Sequence, residues 1–131
     1  MPFPRLLLSA LLLGSAVSLP NPARAQTDAM APKRALNLAR DTAVRLNGGL
    51  SKYRPARCMH QSITNNPCLA QHDADGFVFH FPGGHPGWQE AGTPPSQVTV
   101  LRVSTDGRAI TQTIHNGPLA VAAPPWQEFN R

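Results

Sequence analysis

The chain has 131 residues, with 12 Lys and Arg against 7 Asp and Glu, for a formal net charge of +5. That length suits one domain near the lower end of what builds a hydrophobic core unaided. Its 14 prolines and 10 glycines are spread without a period, which excludes a collagen-like or linker repeat and points to short elements joined by many turns.

The first element is an export signal. Arg5 supplies the basic start, and Leu6 to Leu13 is hydrocarbon interrupted only by Ser9. Pro20 and Pro22 break the segment, and Ala23-Arg24-Ala25 places small residues where a signal peptidase reads them. The apolar stretch from Leu6 to Leu19, about 14 residues, falls short of the roughly 20 that a membrane-spanning helix needs. Residues 1–25 are therefore expected to be removed after Ala25, giving a soluble periplasmic or extracellular domain without a transmembrane span. Loss of Arg5 and Arg24 lowers the net charge from +5 to +3.

Residues 26–32 read as a flexible lead-in, residues 33–118 as a single domain, and residues 119–131 as an Ala/Pro-rich tail. From Lys33 the pattern is helical. At 100° per residue, Ala35, Leu36, Ala39, Ala43 and Leu46 share an arc of about 100°, the width of a core-facing stripe. Asp41 stands four residues before Arg45, a spacing that pairs charges on a helix. Pro32 suits the first turn, and Asn47-Gly48-Gly49 supplies a stop.

After the helix, Tyr53 lies in an extended segment that Pro55 confines to an edge. Cys58 and Cys68 form an even pair in an exported chain, which points to a disulfide closing a loop of 11 residues. Such a loop is worth about 2.5–3 kcal/mol on the chain-entropy estimate. Asn65-Asn66-Pro67 is a turn inside it, and Asp73 to Gly76 is a second turn. Phe77, Phe79 and Phe81 then alternate with Val78 and His80, a strand whose phenyl face must be covered. The connection from Pro82 to Ser96 is long and contains His85 and Trp88, a candidate contact loop. Gln97 to Thr105 and Arg108 to His115 flank Asp106-Gly107, a two-residue hairpin signal. Its register sets Val103 opposite Ile110, Leu101 opposite Gln112 and Thr99 opposite Ile114. The tail carries Trp126 and Phe129, which suit a docking element or a return onto the domain equally well.

These elements give an α+β domain: one amphipathic helix on a three- to four-stranded antiparallel meander, with one disulfide. The order of a helix running into Asn47-Gly48-Gly49-Leu50-Ser51-Lys52-Tyr53-Arg54, a cysteine pair, an aromatic strand and an Asp-Gly hairpin resembles small exported bacterial proteins of unknown function. It covers residues 33–118. At fold level the α-β-β-β order is similar to PepSY-type and cystatin-like domains, which implies extracytoplasmic interaction or peptidase inhibition. The inhibitory motif Q-x-V-x-G is not matched: Gln97-Val98-Thr99-Val100-Leu101 has Thr99 and Leu101 where valine and glycine belong. No inhibitory residue is carried over.

The chemistry-bearing residues point away from catalysis. Aligning Gly76 with the glycine of a calcium loop puts Gln71 and Pro82 where carboxylates are required. There is no G-x-S-x-G, and Gly83-Gly84-His85-Pro86-Gly87 does not open a helix as a phosphate loop does. The five histidines, His60, His72, His80, His85 and His115, lack ligand spacing on any one element, so neither a metal nor a cofactor is expected. Charge is the remaining feature. Lys33, Arg34, Arg40, Arg45, Lys52, Arg54 and Arg57 lie close in sequence with only Asp41 among them. They form a solvated helix face or a site for an anionic partner: a lipid surface, an envelope polymer or an acidic protein. The cluster lacks interleaved aromatics and the compartment is wrong for nucleic acid. The expected function is thus a noncatalytic exported interaction module. The alternative is a small-ligand or metal-binding protein using the histidines near residues 82–96.

Overall fold

A computed structural model describes residues 28–119 and, apart from them, Ser18. The rest of the expected signal peptide and the tail carrying Trp126 and Phe129 lie outside the described residues. Helix α1 spans Ala31–Leu46. It starts two residues before Lys33, the expected start, because Pro32, in the first turn, forfeits no intrahelical bond there. Ala31, Ala35, Leu36, Ala39 and Ala43 are buried, so small side chains bring the helix close to the sheet beneath it. Leu46 departs from the stripe and is 48% exposed. At that end the contact with the sheet is polar instead: Asn47 Nδ2 donates to Asn116 Oδ1 at 3.0 Å, and Gln97 Nε2 donates to Asn47 Oδ1 at 2.9 Å. The expected Asp41–Arg45 pair is also replaced. Asp41 takes its neighbour Arg40 (3.0 Å), and Arg45 reaches Thr42 Oγ1 (3.4 Å). Gly48 and Gly49 end the helix at φ +94° and +92°, a region side chains rarely adopt.

The sheet is antiparallel with β3, Gly76–Gly84, near its centre. One edge of β3 is shared by two short strands, β1 (Arg54–Pro55) at its end and β2 (Leu69–Asp73) at its start. Strand β2 was not expected, because Leu69-Ala70-Gln71-His72-Asp73 is polar and mostly exposed. It forms as an edge, borrowing its hydrogen bonds from the apolar β3. On the other side follow β4 (Gln97–Val103) and β5 (Ile110–Pro118). Phe77, Phe79 and Phe81 are fully buried together with Tyr53, Met59, Leu101 and Val103.

The hairpin of β4 and β5 forms, but its register changes. Val103 faces Ile110 as expected, whereas bulges set Leu101 opposite Thr113 and Thr99 opposite Asn116. Asn116 thereby receives a 2.8 Å hydrogen bond from Thr99 Oγ1 and meets Asn47, while Ile114 is left 45% exposed. The turn is longer than two residues, with Ser104 N–H bonded to Ala109 C=O (2.8 Å). Gly107, at φ +74°, lies against the helix start, where a Cβ would stand 2.4 Å from the Ala31 carbonyl oxygen.

The disulfide joins Cys58 and Cys68 with Cα atoms 5.9 Å apart. Buried Asn66 secures the loop it closes: Nδ2 donates to the carbonyls of Cys58 (2.7 Å) and Ser62 (2.9 Å), and Oδ1 accepts from Cys68 N–H (2.8 Å). The long connection is shorter than expected, since Gly83 and Gly84 continue β3. Its remainder is tied down by turns, including Ala91 N–H to Gly87 C=O and Thr93 N–H to Trp88 C=O. Among the described residues no helix is long and apolar enough to cross a membrane.

A candidate anion site around His60

The short 3₁₀ turn Arg57–His60 follows β1 directly. Its middle residues, Cys58 and Met59, are buried, the first anchored by the disulfide. Residues three apart eclipse on such a turn, so Arg57 and His60 share the outer side. Three depressions adjoin there, and His60 lines all of them. One, of about 390 Å³, runs between α1 and the disulfide loop past Lys33, Arg40 and Ile63. A second, of about 280 Å³, is bounded by Arg54, Arg57, Trp88 and Glu90. A third, of about 500 Å³, is bounded by Arg40, Asp41, Val44, Leu50 and Arg54.

Four of the seven cations named from the sequence, Lys33, Arg40, Arg54 and Arg57, therefore converge around one histidine. The other three do not. Arg34 pairs with Asp28 and donates to the Asp106 carbonyl from Nε (3.1 Å) and Nη2 (2.7 Å), fastening the hairpin tip to the helix start. Arg45 bonds Thr42, and Lys52 lies in the turn after the helix with its stem over Gly48. The fold also recruits acids from outside the basic stretch. Glu90 reaches Arg57 at 3.4 Å, and its carboxyl is held below the ordinary range by its own backbone N–H and then by Arg57. Arg40 is shared with Asp41 and Asn37. Arg54 makes no ion pair with any acid among the described residues. The His60 pKa lies below its ordinary value, through partial burial first and then the charges of Arg40 and Arg54, with Asp41 opposing.

His85 and Trp88 divide. His85 is exposed, but Trp88 is only 4% exposed, its ring seated against Gly84. The indole N–H donates to the Arg54 carbonyl at 3.0 Å, so Trp88 braces the strand that presents Arg54 rather than offering its ring to a partner. His60 was the residue that sequence reasoning left out of the basic cluster. The signal was its place three residues after Arg57, meaningful only once a 3₁₀ turn is known. Of the remaining histidines, His72 stacks on Phe77 with ring centroids 4.0 Å apart, and His80 sits half-buried in β3, its pKa lowered by burial first and then by His115. No group of three or more His, Cys, Asp or Glu among the described residues is arranged to hold a metal ion.

Comparison of the chain with protein-family models, with curated proteins and with solved structures finds no match.

Proposed function

We propose that this protein is a noncatalytic exported module that binds an anionic partner of the cell envelope at the depressions around His60. The observation that carries this reading is the convergence of Lys33, Arg40, Arg54 and Arg57 from three separate elements, with Arg54 lacking an acid partner among the described residues. A merely solvated helix face would spread its cations along α1 and would not draw β1 and the 3₁₀ turn into the same concavity. Export is supported by the signal-like residues 1–25 and by the disulfide, a bond that persists in oxidising compartments.

The test is a titration of the oxidised protein with inorganic phosphate and with polyglutamate, observed through the His60 imidazole and the Arg54 Nε–H by NMR. Local shifts at both groups are expected; the His60 shift is lost in Arg54→Glu and kept in Arg45→Glu, which lies outside the depressions. Shifts equal in the two variants would reduce the effect to general charge attraction and overturn the assignment.

A further inference from the structure

Resting on that reading, we infer that the groove between α1 and the turn leading to β1 takes a single-chain amphiphile with an anionic head. The groove is about 500 Å³, within the roughly 300–1,000 Å³ of small-molecule sites. Its lining is chemically divided. Val44 and Leu50 form an apolar wall, while the opposite end is polar, with the guanidinium charges of Arg40 and Arg54 beside the His60 imidazole. Leu50 is 51% exposed, an apolar side chain held in water beside a cavity that a hydrocarbon chain would fill. The division has a local cause. Gly49 N–H closes onto the Val44 carbonyl at 2.9 Å to end the helix, and this turn brings residue 50 back beside residue 44. Three residues further, Tyr53 is buried, and Arg54 then emerges on β1.

Charge fixes the direction of the ligand. Asp41 stands on the rim and already engages Arg40, so it repels a second anion from that side. Arg54 makes no ion pair with an acid among the described residues, its charge reaching Glu90 only at longer range, and its backbone is braced by Trp88. The head group therefore sits between Arg54 and His60, and the chain lies along Val44 and Leu50. An inorganic anion would use only the first half of this site. A bilayer would have to enter a concave groove, which favours a free monomer over a membrane surface as the source of the ligand.

The experiment compares inorganic phosphate, butyl phosphate and decyl phosphate below its micellar concentration, together with phosphatidylglycerol vesicles, on the oxidised protein and two variants. Decyl phosphate is expected to bind at least about tenfold more tightly than butyl phosphate, since burial of each methylene contributes about 0.8 kcal/mol. Leu50→Asn, at an exposed site, removes that advantage while leaving phosphate binding intact; Arg54→Gln weakens all three. Equal affinity for the short and long chains overturns the amphiphile inference and leaves the anion reading standing. Failure of all three phosphates overturns both. Binding to vesicles alone assigns the face to a membrane and overturns the groove.

Discussion

The ring of Tyr53 occupies the space that a side chain at position 83 would need: a Cβ on Gly83 would stand 2.3 Å from Tyr53 Cε2 and Oη. This close approach seats β1 against the end of β3 and so sets where Arg54 emerges. Gly83→Ala is expected to cost about 3 kcal/mol, the upper part of the range for overfilling a packed core. The same change in a Tyr53→Ala background should cost much less, the difference reporting the contact itself. Equal costs in chemical denaturation would mean that the ring and the glycine are not coupled.

Tyr53 is the single tyrosine of the chain, which makes its ionisation readable by ultraviolet absorbance. Burial raises its pKa to about 12, with the nearby Thr99 hydroxyl opposing. Because the folded state keeps this proton more tightly than the unfolded chain, the associated stability is whole below pH 10 and is lost as pH rises from 10 towards 12. No phenolate band should appear below that window while the protein is folded. Tyr53→Phe should flatten this alkaline loss. It should change neutral stability by no more than about 1 kcal/mol, since the hydroxyl makes no hydrogen bond of good geometry and has only the nearby Thr99 hydroxyl to lose.

Reduction of Cys58–Cys68, or Cys58→Ser with Cys68→Ser, should lower stability by about 3 kcal/mol on the entropy of a loop this long. The loss should extend beyond stability. The 3₁₀ turn anchored by Cys58 presents Arg57 and His60, so hydrogen exchange around residues 57–68 should quicken on reduction. Unchanged exchange there would show that Asn66 alone holds the loop.

The His60 pKa is depressed by partial burial and then by Arg40 and Arg54. Its contribution to stability is therefore whole above the unfolded value, about 6.5, and is lost as pH falls through that value towards the lower folded one. Arg54→Gln should raise the pKa part of the way back, because burial and Arg40 persist, and should lessen the acid sensitivity. An NMR titration of the imidazole checks both the direction and the incompleteness of the change. A pKa unmoved by the substitution would separate Arg54 from His60.

Patterns within single elements were legible before any fold was known. Alanine spacing located α1, alternating phenylalanines located β3, and the parity of the cysteines indicated the disulfide, because each depends on neighbours a few residues apart. Where two elements meet, local rules misled. The expected register set Ile114 opposite buried Thr99, yet bulges put Asn116 there, in the cluster with Asn47, and leave Ile114 in water. Trp88 read equally as a contact residue or as a cap on the open face of the sheet, and only the seat on Gly84 and the bond from its N–H to the Arg54 carbonyl show it turned inward.

The candidate site divides in the same way. Seven cations close together in sequence are a property of composition, and their presence needed no structure. Which of them act together depends on counter-charges and on the directions that the helix, β1 and the 3₁₀ turn impose. Asp28 and the Asp106 carbonyl withdraw Arg34, while Lys33, Arg40, Arg54 and Arg57 each line a depression that His60 also lines. Charge, helix, aromatic strand and covalent link all follow from residue types and their spacing along the chain. Only tertiary packing decided the direction of each cation, because that direction is a relation between elements distant along the chain.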